Sequence, residues 1–309
     1  MSSARRPLPT DIVALVSFDG KVHPNEAKPL DRLGLHDRTH ALEEALEQWF
    51  SFATGKHTWV SVKGATIHGL VTARPRRKRS AWEVEILIDA DDDKTVVNSL
   101  FNRMVSGVLR AGAERVFLRL DADSPLIESA RSVGFFTYQD QTLFRLSRSP
   151  TADAPDLPMR RREKKDHLGI FQLYGRVAPA NVRAVEGATL REWQAAQEKW
   201  GGRPRDFILE SDGVIGAHVR IVGGPTGRIA ILAEGGRNTA DDLVRFALSR
   251  LKRSTSVLCL ASGHDWAVAR ALQDAGFEPD SRYTVLAKRL TRPIAELAKE
   301  TSKEAVPVS

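Results

Sequence analysis

Cysteine is almost missing from this sequence of 309 residues, because Cys259 is the only one. A single cysteine cannot form an internal disulfide, a cysteine-based zinc site or a dithiol redox centre. Cys259 stands in the alternating apolar run "SVLCLAS", so we expect a small hydrophobic residue of the core. His36 and His40 have helical spacing, but no third ligand is evident near them, and we expect no metal site.

Long apolar runs are missing as well. No run approaches the roughly 20 apolar residues that a membrane-spanning helix needs. The N-terminal segment "MSSARRPLPT" lacks the apolar core of a secretion signal. These two absences predict a cytoplasmic protein that has no membrane partner.

Aromatic residues are missing from the two segments where positive charge is concentrated. The sequence has 46 Lys and Arg against 39 Asp and Glu, a net charge of +7, and "RPRRKRS" (74–80) and "MRRREKK" (159–165) are its basic runs. Surfaces that bind single-stranded nucleic acid usually combine such charge with aromatic side chains. We therefore interpret the runs as a solvated hairpin tip and a solvated linker, and expect no nucleic-acid partner. Salt-dependent binding to DNA or RNA would indicate the alternative.

The sequence contains an internal repeat. Residues 123–146 align without a gap with residues 265–288, at a constant offset of 142 positions (276 − 134 = 142). The alignment places Gly134-Phe135 on Gly276-Phe277. Such self-similarity indicates one structural unit that is used twice.

Hydrophobic periodicity predicts a similar order of elements in each half. In the first half it predicts a strand at "IVALVSF" (12–18), a helix at "THALEEALEQWFSFA" (39–53), strands over 57–63, 66–73 and 81–89, a helix over 95–112, a strand over 115–120, a helix over 124–133 and a strand pair over 135–147. In the second half "IFQLYGRV" (170–177) takes the place of the first strand, followed by helical "LREWQAAQEKW" (190–200), strands over 206–211, 214–222 and 227–233, a helix over 239–252, a strand over 256–261, a helix over 264–275 and strands over 277–289. This order is typical of an α+β three-layer domain, here built twice.

The element order, the turn "SDGVIGAHVRI" and the helix ending "ALQDAGFEP" resemble the GNAT superfamily of N-acetyltransferases. The resemblance implies two tandem GNAT-like domains (1–148 and 167–290), each with a mostly antiparallel mixed sheet flanked by helices. It also implies a Pro-rich, basic linker (149–166) and a polar tail (291–309). The implied activity is transfer of an acyl group from acetyl-CoA or another acyl-CoA to an amine acceptor, a small molecule or a peptide. The oligomeric state stays open.

Members of this family place a glycine motif between the fourth strand and the next helix, where backbone N–H groups receive the pyrophosphate of coenzyme A. In the first copy the motif falls on "DKTVVN" (93–98), and Val96 replaces its first glycine. Asp91, Asp92 and Asp93 would repel a pyrophosphate, so the resemblance implies a cofactor site that the first copy has lost. We expect these aspartates to act as a helix N-cap and a solvated loop.

The second copy keeps more of the motif, in "EGGRNTADD" (234–242). Arg237 stands where members have Arg or Gln, but Ala240 and Asp242 take the two glycine positions; Gly235 and Gly236, just before Arg237, keep the approach flexible. We therefore place any cofactor site in this copy. The predicted cofactor-binding residues are Leu232, Ala233, Gly235, Gly236, Arg237, Asn238 and Thr239.

Candidate acid and base residues come from the same comparison. Many members carry a tyrosine four residues before the Gly of the Gly-Phe pair, but Ala130 and Leu272 stand there. The candidates near the predicted cleft are His264, Asp265 and Tyr283, with His218 as a further one. We expect Glu83 and Glu85 to face solvent. We expect Trp193 and Trp200 on one helix face, as core residues or as the lining of an acceptor pocket. The alternative to an enzyme is a catalytically inactive GNAT-fold scaffold or ligand-sensing protein.

Overall fold

The computed structural model describes residues 3–19, 23–34, 55–64 and 66–291, whose strands form one twelve-stranded mixed sheet flanked by helices. The strands are β1 (Ser3–Arg5), β2 (His57–Lys63), β3 (Thr66–Pro75), β4 (Ala81–Asp89), β5 (Arg115–Asp121), β6 (Phe136–Leu146), β7 (Met159–Arg161), β8 (Arg205–Ser211), β9 (Val214–Val222), β10 (Thr226–Ala233), β11 (Ser256–Ser262) and β12 (Glu278–Arg289). The α-helices are α1 (Ile12–Asp19), α2 (Lys94–Arg110), α3 (Leu126–Ser132), α4 (His167–Val177), α5 (Ala180–Glu186), α6 (Leu190–Ala196), α7 (Arg237–Ser249) and α8 (Trp266–Asp274). The α+β class predicted from the sequence is confirmed.

Helices cover both faces of the sheet in the first copy. On one face, α2 packs Leu100, Phe101 and Met104 against β2 to β5. On the other face, α1 packs Leu15 and Phe18 against residues of β2, β3 and β4. This arrangement gives three layers, because each side of a strand pair carries its own apolar set. Within the described ranges, no helix is long and apolar enough to cross a membrane.

The two copies share one sheet because their last strands are exchanged. The strand order is β1-β2-β3-β4-β5-β12-β6-β11-β10-β9-β8-β7, so β12 lies beside β5 and β6 lies beside β11. In the β6–β12 pair, Gln141 is opposite Tyr283. These two positions are themselves equivalent in the repeat, so a local two-fold axis passes between them. The predicted domain limits, 1–148 and 167–290, stay a prediction, since each sheet half contains a strand of the other.

The two Gly-Phe junctions have the same geometry, as the repeat predicts. Gly134 and Gly276 have φ values of +89° and +88°, which a glycine adopts without strain. Phe135 N–H donates to the Ala130 carbonyl, and Phe277 N–H donates to the Leu272 carbonyl, both at 3.0 Å. Each pair therefore ends a helix and starts the last strand of its copy.

Four strand predictions were wrong. The "IVALVSF" segment is helix α1, since Asp11 accepts from Leu8 N–H at 2.8 Å at its start and the residues with helical spacing are the buried ones. The "IFQLYGRV" segment belongs to helix α4, whose buried residues Ile170, Leu173 and Tyr174 also have helical spacing. The predicted strand pair over 135–147 is one strand, β6, and the strands predicted over 277–289 are one strand, β12, because each is the neighbour of the other. The predicted helix 39–53 and the tail beyond residue 291 lie outside the described residues.

The basic runs are only in part the solvated segments that we expected. Arg74 and Arg76 are buried, at 4% and 7% exposure, and only the residues after them form an exposed tip. In the second run, Met159–Arg161 is strand β7 and pairs with β8 at the edge of the sheet. Cys259 is buried in the core as predicted, and burial raises the pKa of its thiol to about 12.

Candidate active site

Each copy contains one parallel strand pair that diverges. In the first copy β4 pairs with β5 only from Ala81 to Glu83, and in the second copy β10 pairs with β11 only from Thr226 to Ile229. Beyond these points, no strand among the described residues pairs with the facing backbone groups. Since unpaired backbone groups are costly unless something satisfies them, each gap is a natural place for a ligand or an inserted segment.

In the first copy, the chain fills this gap with its own residues 25–28, which we call the bridging segment. Glu26 N–H donates to the Leu87 carbonyl of β4 at 2.9 Å. Lys28 N–H donates to the Arg119 carbonyl of β5 at 3.0 Å. The bridging segment therefore bonds to both diverging strands.

The Asn25 side chain fixes the bridging segment in place. Its Nδ2 donates to the Glu85 carbonyl at 3.1 Å, and its Oδ1 accepts from Leu87 N–H at 2.9 Å and from Ala27 N–H at 3.1 Å. Asn25 and Ala27 are 2% and 1% exposed. The gap of the first copy is thus occupied and closed to solvent.

Glu83 and Glu85, expected to face solvent, are buried in the same region. Arg74 donates to both carboxylates at 2.7 Å, and Arg76 donates to Glu83 at 3.1 Å. Burial acts to lower the pKa of Arg74, but the nearby carboxylates, Asp31 foremost, outweigh it and raise the pKa. The prediction failed because ion pairing allows glutamates to be buried on a strand that is apolar at its other positions.

The helix N-termini after the two gaps also differ. At the start of α2, Asp93 accepts from Thr95 N–H at 2.8 Å and from the Thr95 hydroxyl at 2.7 Å, which lowers the pKa of Asp93. The predicted role of Asp93 as a helix N-cap is confirmed. A carboxylate bound to the first-turn donors excludes a second anion there.

At the start of α7, the N-cap is Gly236, which has no side chain to bond the first turn. An added Cβ at Gly236 would meet no atom within 4 Å, and Gly235 has φ +124°. Of the predicted cofactor-binding set, Leu232 and Ala233 end β10 and are half-buried, Gly235 and Gly236 form the exposed turn, and Arg237, Asn238 and Thr239 are the first residues of α7. The set thus borders both the second gap and an uncapped helix start.

A cavity adjoins the second gap. It has a volume of about 230 Å³ and lies between α4, α6 and strands β9 and β10; its lining includes Tyr174, Trp193, Trp200, His218 and Ala230. A neighbouring cavity of about 180 Å³ shares Glu186, Gln197, Trp200 and Ala230 with it, and reaches Ile229 and Leu260 where β10 and β11 diverge. The two cavities therefore connect an open pocket with the gap of the second copy.

The first copy supplies part of these walls. Arg76, Arg119 and Gln141 line the smaller cavity. Arg76 and Arg119 both bind the Glu198 carboxylate of the second copy, at 3.1 and 2.6 Å. These ion pairs fix the chain after α6, which carries Glu198 and Trp200, against the first copy.

Glu186 stands where the two cavities meet, at the end of α5. One carboxylate oxygen accepts from the Tyr138 hydroxyl at 3.1 Å, and the other accepts from the Tyr174 hydroxyl at 3.1 Å. Burial raises the pKa of Glu186 above its usual range. Its carboxylate form therefore binds a proton more readily than that of an exposed glutamate.

Asp206 binds two side chains that line the other end of the larger cavity. Its Oδ1 accepts from His218 Nε2 at 2.9 Å and from Arg220 Nε at 2.6 Å. Burial acts to raise the pKa of Asp206, but these hydrogen bonds outweigh it and hold the pKa well below its usual range. Burial lowers the pKa of His218, so its imidazole is neutral at pH 7.

The predicted catalytic residues lie elsewhere. His264 and Asp265 precede α8, with 3.5 Å between His264 Nε2 and Asp265 Oδ1, and Tyr283 of β12 packs in a cluster with Leu33 and Leu143. None of the three lines either cavity. Their catalytic role stays a prediction.

Sequence reasoning reached part of the cavity. His218, Trp193 and Trp200 line it, although α6 ends at Ala196 and Trp200 is therefore not on the same helix face. Glu186 was missed, because a charged residue before Gly187 at a helix end normally faces solvent. The tyrosines that contact Glu186, Tyr138 and Tyr174, are distant from it in the sequence, so no local pattern indicated that it would be buried.

No protein-family model matches this chain, and no curated protein does. Solved structures match nearly its whole length. A GCN5-related N-acetyltransferase from Sphaerobacter thermophilus is 16% identical, with a TM-score of 0.55 over 94% of this chain and 96% of its own. A tandem GNAT protein from the clavulanic acid biosynthesis pathway is 12% identical, with a TM-score of 0.52 over 95% of this chain and 100% of its own. Likeness at these identities shows a shared fold, and it confirms the fold that the repeat and the Gly-Phe pairs imply.

Proposed function

We propose that this chain, which has the tandem GNAT fold, is an acyl-CoA-dependent N-acyltransferase with its cosubstrate site in the second copy. The acceptor is an amine that enters the larger cavity. The first copy has no cosubstrate site of its own and instead shapes the acceptor side of the second.

The observation that carries this proposal is the difference between the two gaps. The bridging segment satisfies the backbone groups of Leu87 and Arg119 in the first copy. In the second copy, one edge of Ala230–Ala233 faces β11. No residue that the structure describes forms a backbone hydrogen bond with that edge. A cavity lies at this point instead. This difference supports a cosubstrate site in the second copy and none in the first.

The residues of the second copy fit an acyl-CoA. Gly236 and Gly235 leave space in front of the α7 N-terminus, where backbone N–H groups favour a pyrophosphate. The pantetheine arm contains two amides, and the unpaired edge of β10 can satisfy them as the bridging segment satisfies β4. When bound, acyl-CoA supplies a thioester carbonyl that an amine can attack and a thiolate that can leave.

Glu186 is the residue that we assign as general base. An alkylammonium must lose a proton before its nitrogen can attack, and Glu186 lies where the acceptor cavity meets the gap. Tyr138 and Tyr174 hold its two oxygens in fixed positions. Because burial raises the pKa of Glu186, the carboxylate is a stronger base than an exposed glutamate.

Calorimetric titration with acetyl-CoA tests the assignment of copies. The wild type and an Asp91/Asp92/Asp93→Asn triple variant should bind alike, while Arg237→Glu, which reverses a charge at the first residue of α7, should bind more weakly. Loss of binding in the triple variant alone would place the site in the first copy. Absence of binding by the wild type at millimolar acetyl-CoA would refute the function. Binding without turnover of any amine would favour the ligand-sensing alternative.

A further inference from the structure

Positive charge is concentrated at the outer end of the larger cavity. Arg77, Arg162 and Arg220 all line it, and they come from three different elements: the exposed tip after β3, the segment after β7, and β9. Burial, together with the nearby guanidiniums of Arg220 and Arg162, lowers the pKa of Arg77. Three cations held close together without a ligand repel one another.

The Asp206 carboxylate lies against two of these three arginines. Asp206 accepts from Arg220 Nε at 2.6 Å, and its Oδ2 lies 3.6 Å from Arg162 Nε. Among the residues that the structure describes, no ion pair is found for Arg77. Asp206 can balance one of the three positive charges, so about two remain uncompensated at this end.

The neighbouring histidines add no negative charge and no further positive charge. Arg162 Nη1 lies 2.8 Å from His167 Nε2, and since a guanidinium can only donate, Nε2 accepts and the ring is neutral. Burial, with Arg162 and Arg77, lowers the pKa of His167 in agreement with this. In this tautomer Nδ1 carries the ring proton, and the Gln194 amide, whose Nε2 lies 3.1 Å from Nδ1, can accept it through Oε1 once the amide is rotated by half a turn.

The rest of the cavity limits the size and shape of a ligand. Its volume of about 230 Å³ equals that of roughly eight water molecules at about 30 Å³ each. Tyr174 and Trp193 form an aromatic wall, with ring centroids 5.7 Å apart. Glu186 lies at the inner end, so the cavity has a carboxyl group at one end and guanidinium groups at the other.

We propose that the acceptor is a small amine that also carries an anionic group, a carboxylate or a phosphate, bound by Arg77, Arg162 and Arg220. This inference rests on the proposed function. The anionic group lies at the arginines and the amino group lies towards Glu186, across the aromatic wall. The two ends of the cavity thus orient the acceptor with its nitrogen towards the gap where the thioester is expected.

Two experiments on the intact protein test this inference. Calorimetric titration with inorganic phosphate compares the wild type with Arg77→Gln and with Arg79→Gln, whose residue is exposed in the same basic run and does not line the cavity. Arg77→Gln should bind phosphate about ten-fold more weakly, as expected for loss of a charge-assisted contact, and Arg79→Gln should bind as the wild type does. Equal affinity in all three proteins, or no phosphate binding in the millimolar range, would overturn the anion site.

Turnover of matched amines distinguishes the two anions. Release of the free thiol from acetyl-CoA is followed with β-alanine against propylamine and with O-phosphoethanolamine against ethanolamine. The anionic member of at least one pair should have a kcat/KM about ten-fold higher, and Arg77→Gln should reduce that ratio. Equal rates within both pairs would overturn the inference while leaving the acyltransferase intact. Failure of acetyl-CoA to bind would refute the function but not the phosphate result.

Discussion

Gly236→Asp places in the second copy the carboxylate that closes the helix start of the first. Gly236 has φ −85° and ψ −169°, an extended conformation that aspartate adopts without strain, and its Cβ would meet no atom within 4 Å. Asp93 shows the expected contact, since it accepts a backbone N–H two residues along its helix. The new carboxylate should therefore cap α7.

Opposite effects on stability and on binding follow from this substitution. An N-cap carboxylate in place of glycine, together with the helix dipole, should stabilise the fold by about 0.5 kcal/mol. Two unit charges 5 Å apart repel by about 3 kcal/mol at an effective dielectric constant of about 20. Salt screening removes about half of this, and a pyrophosphate carries two charges, so the net loss is again about 3 kcal/mol. Acetyl-CoA should therefore bind roughly 100-fold more weakly to a slightly more stable protein.

Calorimetric titration and urea unfolding measure the two effects on the same sample. The matched control is the reverse change in the first copy, Asp93→Gly, which removes the cap of α2. It should lower stability by a few tenths of a kcal/mol, leave acetyl-CoA affinity unchanged and create no second binding site, because the bridging segment still fills the gap. Wild-type affinity in Gly236→Asp would refute the placement of the pyrophosphate at α7.

Three further substitutions test the base, the bridging segment and the core. Glu186→Gln should lower kcat about 100-fold without weakening acetyl-CoA binding. The wild-type rate should rise with pH through the raised pKa of Glu186, since the base must be deprotonated. A Glu186→Gln variant whose rate still rose with pH in the same way would contradict the assignment. Asn25→Ala leaves buried N–H groups without an acceptor and should cost about 1–3 kcal/mol in urea unfolding with no change in acetyl-CoA affinity; an altered affinity would show that the first gap takes part in binding. Gly107→Ala would drive a Cβ into the Trp59 indole and should lower the free energy of unfolding by about 1–3 kcal/mol. The control Gly175→Ala, whose Cβ would meet no atom within 4 Å, should leave that free energy unchanged or raise it. Equal effects of the two substitutions would refute the packing at Gly107.

Local patterns in the sequence were sufficient for most strands and for the later helices. Strand β9 has the predicted bounds, and α7 and β11 start or end within three residues of the prediction, because alternation and helical spacing follow directly from one buried face. The same reasoning failed at "IVALVSF", where seven mostly apolar residues fit either a strand or a short helix. There the choice depends on what the segment packs against.

The candidate site was harder to predict because its residues come from distant parts of the chain. Arg77 and Arg162 were interpreted as solvated charges, since nothing near them in the sequence indicates that β9 brings Arg220 and Asp206 alongside. Likewise, the bridging segment has no special composition. The helix cap at Asp93 could be predicted from the sequence, but the segment that fills the gap of the first copy could only be found in three dimensions.

The exchange of last strands makes the two copies mutually dependent. If the gene were cut at the linker, β5 and β11 would each lose the neighbour that the other half supplies, and two long edges would be exposed to aggregation. Selection on the open copy therefore also preserves the closed one. Even if the first copy takes no direct part in the reaction, the second cannot dispense with it, because β6 of the first copy is the neighbour of β11.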